Sequence, residues 1–241
     1  MITAEEVGVR FLFDRQRRVV TPTAARLRRS GSRAWGLRDV SFQLSGGVGY
    51  ALIGSSGSGK TTLLRLLASV LYPDAGRLEI RGRVGSLLST DAGLLGALTG
   101  RENALHLGVL AGLSRARSRA ALEQVRQRSA LGEYFDRPVS SYSQGMRARL
   151  GLAVADERDP NILLLDEVHE ALDHEFRGIL ERRAHEIIRG GGVVVAAGHD
   201  HQMLGRLCER AVWLDHGHLV AEGGLDETRR AYLDAVESER R

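Results

Sequence analysis

Residues 54–61 have the types and spacing of a loop that binds phosphate. Their sequence, GSSGSGKT, fits the pattern G-x-x-x-x-G-K-[ST]. Glycines let successive backbone N–H groups point inward at phosphate oxygens, and a helix that follows adds the positive end of its dipole. Lys60 can reach the β- and γ-phosphates, and the Thr61 hydroxyl suits Mg²⁺. An ordinary glycine–serine turn is the alternative, but Lys60 is the only lysine among 34 basic residues. The segment therefore predicts a phosphate site.

Two acids follow a second informative run. Residues 162–165 are continuously apolar, which is typical of a strand buried on both faces. Asp166 would then lie at the carboxyl end of a central strand, where open α/β sheets bind their ligands, and it can hold Mg²⁺. Glu167 can orient or deprotonate an attacking water. A capping pair before a turn is the bland alternative, and the phosphate loop upstream argues against it.

The elements that must position these residues form an α/β pattern. Apolar runs predict six strands, and two further runs, residues 211–214 and 219–221, flank a predicted turn at residues 215–217. A 3.6-residue periodicity predicts a helix over residues 61–70, a helical region over about 98–154 and a helix ending near residue 190. The predicted strands are residues 7–13, 37–44, 48–53, 77–84, 162–165 and 193–197. We expect a mostly parallel sheet, interrupted by a helical lobe at about residues 90–157. An arginine-rich insertion at about residues 15–33 is either a solvated loop or a segment near anionic lipid headgroups.

Composition limits the function classes. The chain has 241 residues, of which 43% are apolar and 27% charged, so it can bury a core and is not a disordered protein. No run approaches the ~18 apolar residues of a membrane helix. The first residues are acidic where a secretory signal would be basic and then apolar. The single cysteine, Cys208, excludes an internal disulfide framework. We expect a cytosolic protein.

Three further segments carry a resemblance to a known family. Residues 142–146, YSQGM, open an amphipathic helix and resemble the L-S-G-G-Q signature of ATP-binding-cassette (ABC) ATPases. Residues 198–200, GHD, look like the family's switch histidine. Residues 170–173, EALD, resemble the loop after its catalytic glutamate. With the phosphate loop and the acidic strand, these motifs stand in the family's order between residues 54 and 200.

The resemblance implies a fold and a set of ligands. It implies one domain over residues 1–241: a P-loop NTPase core with a mixed, largely parallel sheet, N-terminal antiparallel strands and an inserted helical subdomain. It also implies ATP and Mg²⁺. For adenine stacking, Phe11 is the first candidate, with Phe13 and Trp35 behind it. The residues expected to hold ATP are Phe11, Gly54, Ser55, Ser56, Gly57, Ser58, Gly59, Lys60, Thr61 and Thr62.

The same resemblance assigns the remaining roles. Glu167 and His199 would be catalytic, and Thr61 and Asp166 would hold Mg²⁺. In this family two copies pair head to tail, so Ser143, Gln144 and Gly145 would contact ATP bound to the other copy, and Asp173 would lie at the dimer interface. Two departures stand out. Most members have a glutamine between the lobes, where this chain has Ser89, Thr90 and the nearby Asp91, and Gln144 replaces a signature glycine.

Four segments are similar to ATPase subunits that export surface polysaccharides such as O-antigen or teichoic acid. These segments are the YSQGM signature, AWGLRDVSF before the phosphate loop, LTGREN at residues 98–103 and AVWLDHG at residues 211–217. The similarity implies a homodimer bound to a separate integral-membrane permease. It also implies a peripheral location on the cytoplasmic face of the inner (plasma) membrane and no nucleic-acid partner. An exporter of a drug or lipid, or a soluble non-transport ABC ATPase, remains the alternative.

Overall fold

The structure, a computed structural model, describes residues 1–13, 20–22, 32–89, 93–167, 172–198 and 200–239. Its first part is an antiparallel sheet built around the long strand β1. One edge of β1 pairs with β3, and the other edge pairs with β2 and β5. The strands are β1 (Ile2–Phe13), β2 (Val20–Pro22), β3 (Ser32–Leu44) and β5 (Ala75–Ile80).

The second sheet is the centre of the fold. In the described chain it has six strands in the order β10-β9-β4-β8-β7-β6, parallel except for the antiparallel pair β9–β10. This arrangement confirms the predicted mixed α/β fold. The strands are β4 (Val48–Ile53), β6 (Val84–Leu87), β7 (Ile162–Asp166), β8 (Val193–Ala197), β9 (Arg210–Asp215) and β10 (His218–Gly224).

Two hydrophobic cores cover the two faces of the parallel sheet. In β8, Val193 and Val195 face a core shared with the antiparallel sheet and α1, while Val194 and Ala196 face a core shared with α6 and α7. Successive side chains of a strand point to opposite faces, which explains why β7 and β8 read as continuous apolar runs. The helices around the sheet are α1 (Lys60–Leu67), α6 (His174–Arg189), α7 (His201–Leu207) and α8 (Leu225–Glu239).

A helical lobe lies between β6 and β7. Its core contains Phe135, Tyr142 and Leu150, and its first helix begins with a capping box between Thr99 and Glu102. The lobe consists of α2 (Gly100–Leu110), α3 (Arg115–Ala120), α4 (Leu122–Ser129) and α5 (Gln144–Asp156), with short 3-10 turns at Gly132–Asp136 and Val139–Ser141. Among the described residues, no helix combines the length and apolarity that crossing a membrane requires.

Four predicted elements differ in their bounds from the structure. The strands predicted at residues 7–13 and 37–44 begin earlier, at Ile2 and Ser32. Residues 77–84 are not one strand, because the chain turns at Gly82 and sends β5 and β6 into different sheets. Gly82 has φ 157, and a Cβ there would lie 2.5 Å from Oδ1 of Asn161, which accepts the Arg83 N–H at 2.7 Å. The helix predicted over residues 61–70 ends at Leu67, because Ser69 takes a left-handed conformation with φ 58.

Candidate functional site

The phosphate loop joins β4, which ends at Ile53, to α1, which begins at Lys60. Its three glycines take backbone conformations that side chains rarely adopt: φ is 143 at Gly54, 81 at Gly57 and 111 at Gly59. A Cβ at Gly59 would also lie 2.9 Å from the carbonyl oxygen of Gly36 in β3. The backbone conformation therefore explains why the pattern has glycine at these positions. At position 59 a side chain would also collide with β3.

Lys60 folds back across the loop that precedes it. Its Nζ donates to the carbonyl oxygens of Gly54, at 2.7 Å, and Ser55, at 2.9 Å. Burial lowers the pKa of Lys60, and the carboxylates of Glu167 and Asp166 oppose that shift. The ammonium group is thus held inside the curl of the loop, next to two acids.

A cavity of about 320 Å³ opens over the loop. It is lined by residues 56–62, by Glu167, and by side chains and backbone of β1 and β3. Ser58 in this lining is 1% exposed, and its Oγ has no hydrogen-bond partner among the described residues. A buried hydroxyl without a partner costs free energy, and a phosphate oxygen in the cavity would satisfy it. The residues present therefore fit the phosphates of a nucleotide.

The acids lie at the carboxyl end of β7. Asp166 is 8% exposed; burial raises its pKa, while a hydrogen bond from the Thr61 hydroxyl and the charges of Lys60 and Arg65 act in the opposite direction. Thr61 and Asp166 supply the oxygen ligands that Mg²⁺ prefers, so this pair fits the metal as well.

Glu167 has a different surrounding from its neighbour. Its side chain is exposed and lines the cavity, and its backbone N–H donates to the carbonyl oxygen of Ala197 in β8 at 2.8 Å. Its φ of 57 is left-handed, a conformation that costs roughly 1 kcal/mol or more for a residue with a side chain. The strained backbone directs this carboxylate toward the space above the phosphate loop.

Two aromatic residues reach the same cavity. Phe11 in β1 and Trp35 in β3 both line it, and the ring of Phe11 packs directly on Gly36. The guanidinium of Arg10 lies 4.1 Å from the centroid of the Trp35 ring. The side chain of Phe13 is outside the described residues. The sequence favoured Phe11, and the structure places Trp35 beside it.

The sequence predicted the turn between β9 and β10 but did not reveal that this turn supports the phosphate loop. The N–H of Gly217 donates to the carbonyl oxygen of Ser58 at 2.9 Å, and the carbonyl oxygen of Gly217 accepts the N–H of Arg38 at 2.8 Å. This glycine joins the phosphate loop to β3. No local pattern could have revealed it, because the three segments are far apart in sequence.

The signature segment lies apart from this cavity. Ser143 caps α5, accepting the Met146 N–H on its Oγ at 3.2 Å, and both Ser143 and Gln144 are exposed. None of the described residues that line the cavity belongs to the signature segment, and Gly145 is therefore also outside the lining. The structure does not bring the two predicted halves of the site together within one described chain.

The other predicted residues have separate places. Asp173 caps α6 by accepting the Phe176 N–H at 3.0 Å, and its carboxylate also pairs with Arg149. Its pKa is lowered, first by the bond from Phe176. His199, Thr90 and Asp91 lie outside the described residues, so their predicted roles stay predictions.

A β-strand, a glycine-rich phosphate loop with its lysine and a second strand ending in acids together define a P-loop nucleotide-binding protein. The sequence profile described as "ABC transporter" matches residues 37–170. The chain belongs to the ABC transporter family, and it is an ABC-type ATPase.

Its relatives include proteins named for the export of O-antigen and of teichoic acids. It is 34% identical over 206 residues to the O-antigen export system ATP-binding protein RfbB of Klebsiella pneumoniae, covering 86% of this chain and 84% of that one. It is 36% identical to RfbB of Myxococcus xanthus, of which it spans only 48%, and 31% identical to the teichoic acids export ATP-binding protein TagH of Lactococcus lactis, of which it spans 43%. The chain thus spans about half the length of some relatives.

The fold also matches solved structures. A dimeric post-hydrolysis state of the ATP-binding cassette MJ0796, bound to ADP and Pi, superposes with a TM-score of 0.73 at 20% identity, covering 93% of this chain and 99% of that one. At this identity the likeness concerns the fold alone.

Proposed function

We propose that this chain is the ATP-hydrolysing subunit of an exporter that moves a surface polysaccharide or lipid-linked glycan through a separate membrane permease. It acts as a homodimer at the cytoplasmic face of the membrane. The names of the relatives, O-antigen and teichoic acid export proteins, support the glycan cargo.

One observation supports the proposed homodimer: within one described chain, the two predicted halves of the ATP site lie apart. The phosphate loop and Glu167 line one cavity, and Asp166 accepts a hydrogen bond from Thr61 of that lining. The signature residues Ser143 and Gly145 lie elsewhere, at the start of α5. A helix start offers unpaired N–H donors to an anion. In the proposed assembly, the signature of a second copy closes over the γ-phosphate bound to the first, and Gln144 and Asp173 lie at the contact between copies.

The chain's own groups then have distinct tasks. The backbone of the phosphate loop and Lys60 bind the phosphates, and Phe11 or Trp35 stacks on the base. Thr61 and Asp166 would hold Mg²⁺, which would supply positive charge beside the phosphates. Glu167 positions the attacking water and accepts its proton, and His199 contacts the γ-phosphate.

A surface groove with exposed apolar residues supports the proposal that the chain binds a permease. A cavity of about 690 Å³ runs between β6 and the helical lobe, and its rim carries Val70 and Leu110, which are 63% and 65% exposed. Arg147 and Arg158 add positive charge to its lining. We expect it to receive a cytoplasmic segment of the permease that has an apolar face and an acidic residue.

Mixing two impaired variants tests the shared site. Lys60→Ala destroys both loops of a dimer, and Ser143→Ala weakens both signatures. A mixed dimer keeps one intact site, so random pairing should restore about a quarter of the parent ATPase rate. The control mixes Lys60→Ala with a Lys60→Ala/Ser143→Ala chain, which forms no intact site. Recovery in the first mixture alone supports the shared site, and no recovery rejects it.

The cargo needs a test in cells. Deleting the gene should deplete the surface glycan, measured by labelling intact cells, and the parent chain but not Lys60→Ala should restore it. Purification from membranes should also recover a multi-spanning protein with this chain. A deletion strain with normal surface glycan would reject the proposed cargo while leaving the ATPase intact.

A further inference from the structure

The segment LTGREN, residues 98–103, contacts the first residue of the signature, Tyr142. Tyr142 is 5% exposed, and its hydroxyl donates to the carbonyl oxygen of Tyr134 at 2.6 Å. A Cβ at Gly100 would lie 2.1 Å from the hydroxyl oxygen of Tyr142, so a larger residue there would displace the tyrosine. Two segments that are distant in sequence therefore meet in the helical lobe.

Backbone hydrogen bonds fix the approach segment, residues 137–141, which leads into the signature. The N–H of Val139 donates to the carbonyl oxygen of Leu98 at 2.9 Å, and the N–H of Ser140 donates to that of Gly96, also at 2.9 Å. Both acceptors lie close before α2, in the loop that leads into that helix. The position of the approach segment therefore follows the shape of this loop.

Asn103, the last residue of LTGREN, holds the α2 loop, residues 95–99, in shape. Its side chain is fully buried, and its Oδ1 accepts the N–H of Leu95 at 2.8 Å. Its Nδ2 reaches three carbonyl oxygens, those of Leu95 at 3.0 Å, Leu98 at 3.2 Å and Thr99 at 2.9 Å. The carbonyl oxygen of Leu98 is also the acceptor for Val139, so one atom joins the asparagine to the approach segment.

The Asn103 amide takes the place of a neighbouring strand for the α2 loop. Residues 95–98 belong to no helix or strand of the described chain, so a side chain supplies hydrogen bonds that a ladder would otherwise supply. The amide is buried, and a buried polar network that is fully bonded makes the chain around it rigid. Without the amide the loop can take other conformations, and the acceptors for Val139 and Ser140 are no longer held in place.

The signature serine is fixed from two sides. Ser143 is the N-cap of α5, and its Oγ accepts the Met146 N–H at 3.2 Å, so the helix that follows fixes one side. Tyr142 and the approach segment fix the side that precedes it. The place of Ser143 on the surface therefore depends on the α2 loop as well as on α5.

We propose that Asn103 is a positioning residue for the signature: through the α2 loop and the approach segment, it holds Ser143 where it meets nucleotide bound to a second copy. The inference rests on the proposed function, because it needs Ser143 to engage that nucleotide. It predicts that Asn103 affects turnover. Binding of ATP to the phosphate loop of the same chain should not change, since the described residues that line that cavity include none of α2 or its loop.

The experiment compares full-length variants in ATPase kinetics, isothermal titration with ATP and thermal melting, with each rate measured equally far below the melting temperature. Asn103→Ala should lower kcat about tenfold and leave the Kd for ATP within about twofold of the parent value. Asn103→Ser can still donate to the carbonyl oxygen of Thr99, four residues earlier, as serine does in helices, but is too short to reach Leu95 or Leu98. It should lose about threefold in kcat.

The matched control is Ser114→Ala, which removes the N-cap of α3 elsewhere in the helical lobe. Loss of a cap lowers the melting temperature but does not touch the α2 loop, so kcat should stay at the parent value. A loss of kcat in this control equal to that of Asn103→Ala would show that loosening the lobe accounts for the effect, and it would overturn the proposal.

A double-variant cycle decides whether Asn103 acts through Ser143. In a Ser143→Ala background, adding Asn103→Ala should lower kcat by no more than about twofold, because the group that it positions is already gone. Equal losses in both backgrounds would overturn the proposal, as would an Asn103→Ala change confined to the melting temperature. If Asn103→Ala does not fold, Asn103→Ser in both backgrounds gives the same comparison.

Failure of this inference is distinguishable from failure of the proposed function. A Ser143→Ala variant with the parent kcat would reject the shared site and the positioning role together. If Ser143→Ala is slow and Asn103→Ala has the parent kcat, only the positioning role is rejected.

Discussion

The phosphate loop and the signature segment differ in how completely one chain builds them. The loop is closed on itself: Lys60 bonds to two of its carbonyl oxygens, and Gly217 holds it from behind. The signature has a capped helix start with Ser143 and Gln144 open to solvent. A site that is fixed on one side and exposed on the other can bind nucleotide before it can process it. The difference agrees with the proposed composite site, in which a second copy covers the loop before hydrolysis.

The largest expected effect is that of a substitution in the phosphate loop, the part of the site that one chain builds completely. Lys60→Ala removes the ammonium group inside the loop and should lower the ATPase rate by at least ~100-fold, because no other lysine or loop cation replaces it. A radiolabelled phosphate-release assay measures the loss. Arg77→Ala, which removes an exposed cation of β5, is the control and should keep most of the activity. A Lys60→Ala variant at the parent rate would contradict the assigned loop.

The next largest effect is expected from substitutions of the water-positioning carboxylate, Glu167, and of the signature serine, Ser143. Glu167→Gln should stop turnover and leave an ATP-bound dimer, because the amide still accepts a hydrogen bond but no longer takes a proton. Analytical ultracentrifugation should show ATP-dependent doubling of the mass. Adding Ser143→Ala to Glu167→Gln should weaken this dimer about tenfold by removing one donor to the phosphate. A Glu167→Gln chain that hydrolyses ATP at the parent rate would reject the catalytic role.

A smaller effect separates the two aromatic residues of the cavity. Phe11→Ala and Trp35→Ala are expected to differ in the Kd for ATP, measured by isothermal titration. The residue that stacks on adenine should raise Kd about threefold to tenfold, in keeping with the ~1 kcal/mol of an aromatic stacking pair. The other should change Kd little. Repeating the titration with inorganic triphosphate, which has no base, should abolish the difference between the variants.

The smallest effect concerns the stability of the apo chain. Because burial raises the pKa of Asp166 above its unfolded value, the folded chain holds that proton more tightly. This stabilising contribution is complete below the unfolded pKa and is lost as pH rises through the folded pKa. Asp166→Asn should therefore raise Tm above that window, without nucleotide or Mg²⁺, and change little below it.

A control with the opposite sign is available in the helical lobe. The hydrogen bond from Arg101 lowers the pKa of Asp136, so its contribution is present above the unfolded pKa and disappears as pH falls. Asp136→Asn should not raise Tm at neutral pH. Differential scanning calorimetry across pH 4–8 checks both variants, and a Tm gain for Asp166→Asn that does not depend on pH would contradict burial of the charge as its cause.

Features that depend on local backbone geometry could be predicted from the sequence. Features that depend on contacts between distant segments could not. The phosphate loop was predictable, because its glycines and Lys60 are spaced by the curl itself. The division of residues 77–84 between two sheets was not, because alternation in β5 and β6 does not reveal which neighbour a strand pairs with. Arg149 and Gly217 carry no local signal, since their partners at Asp173 and Ser58 are brought close only by folding.

The place of β4 in its sheet has a consequence for the newly made chain. β4 and the phosphate loop leave the ribosome early, yet the strands on both sides of β4 are β8 and β9, which begin at Val193 and Arg210. The Gly217 bond to Ser58 forms later still. A growing chain therefore cannot complete its nucleotide pocket until Gly217 has been synthesised, and fragments released earlier should be unable to sequester ATP.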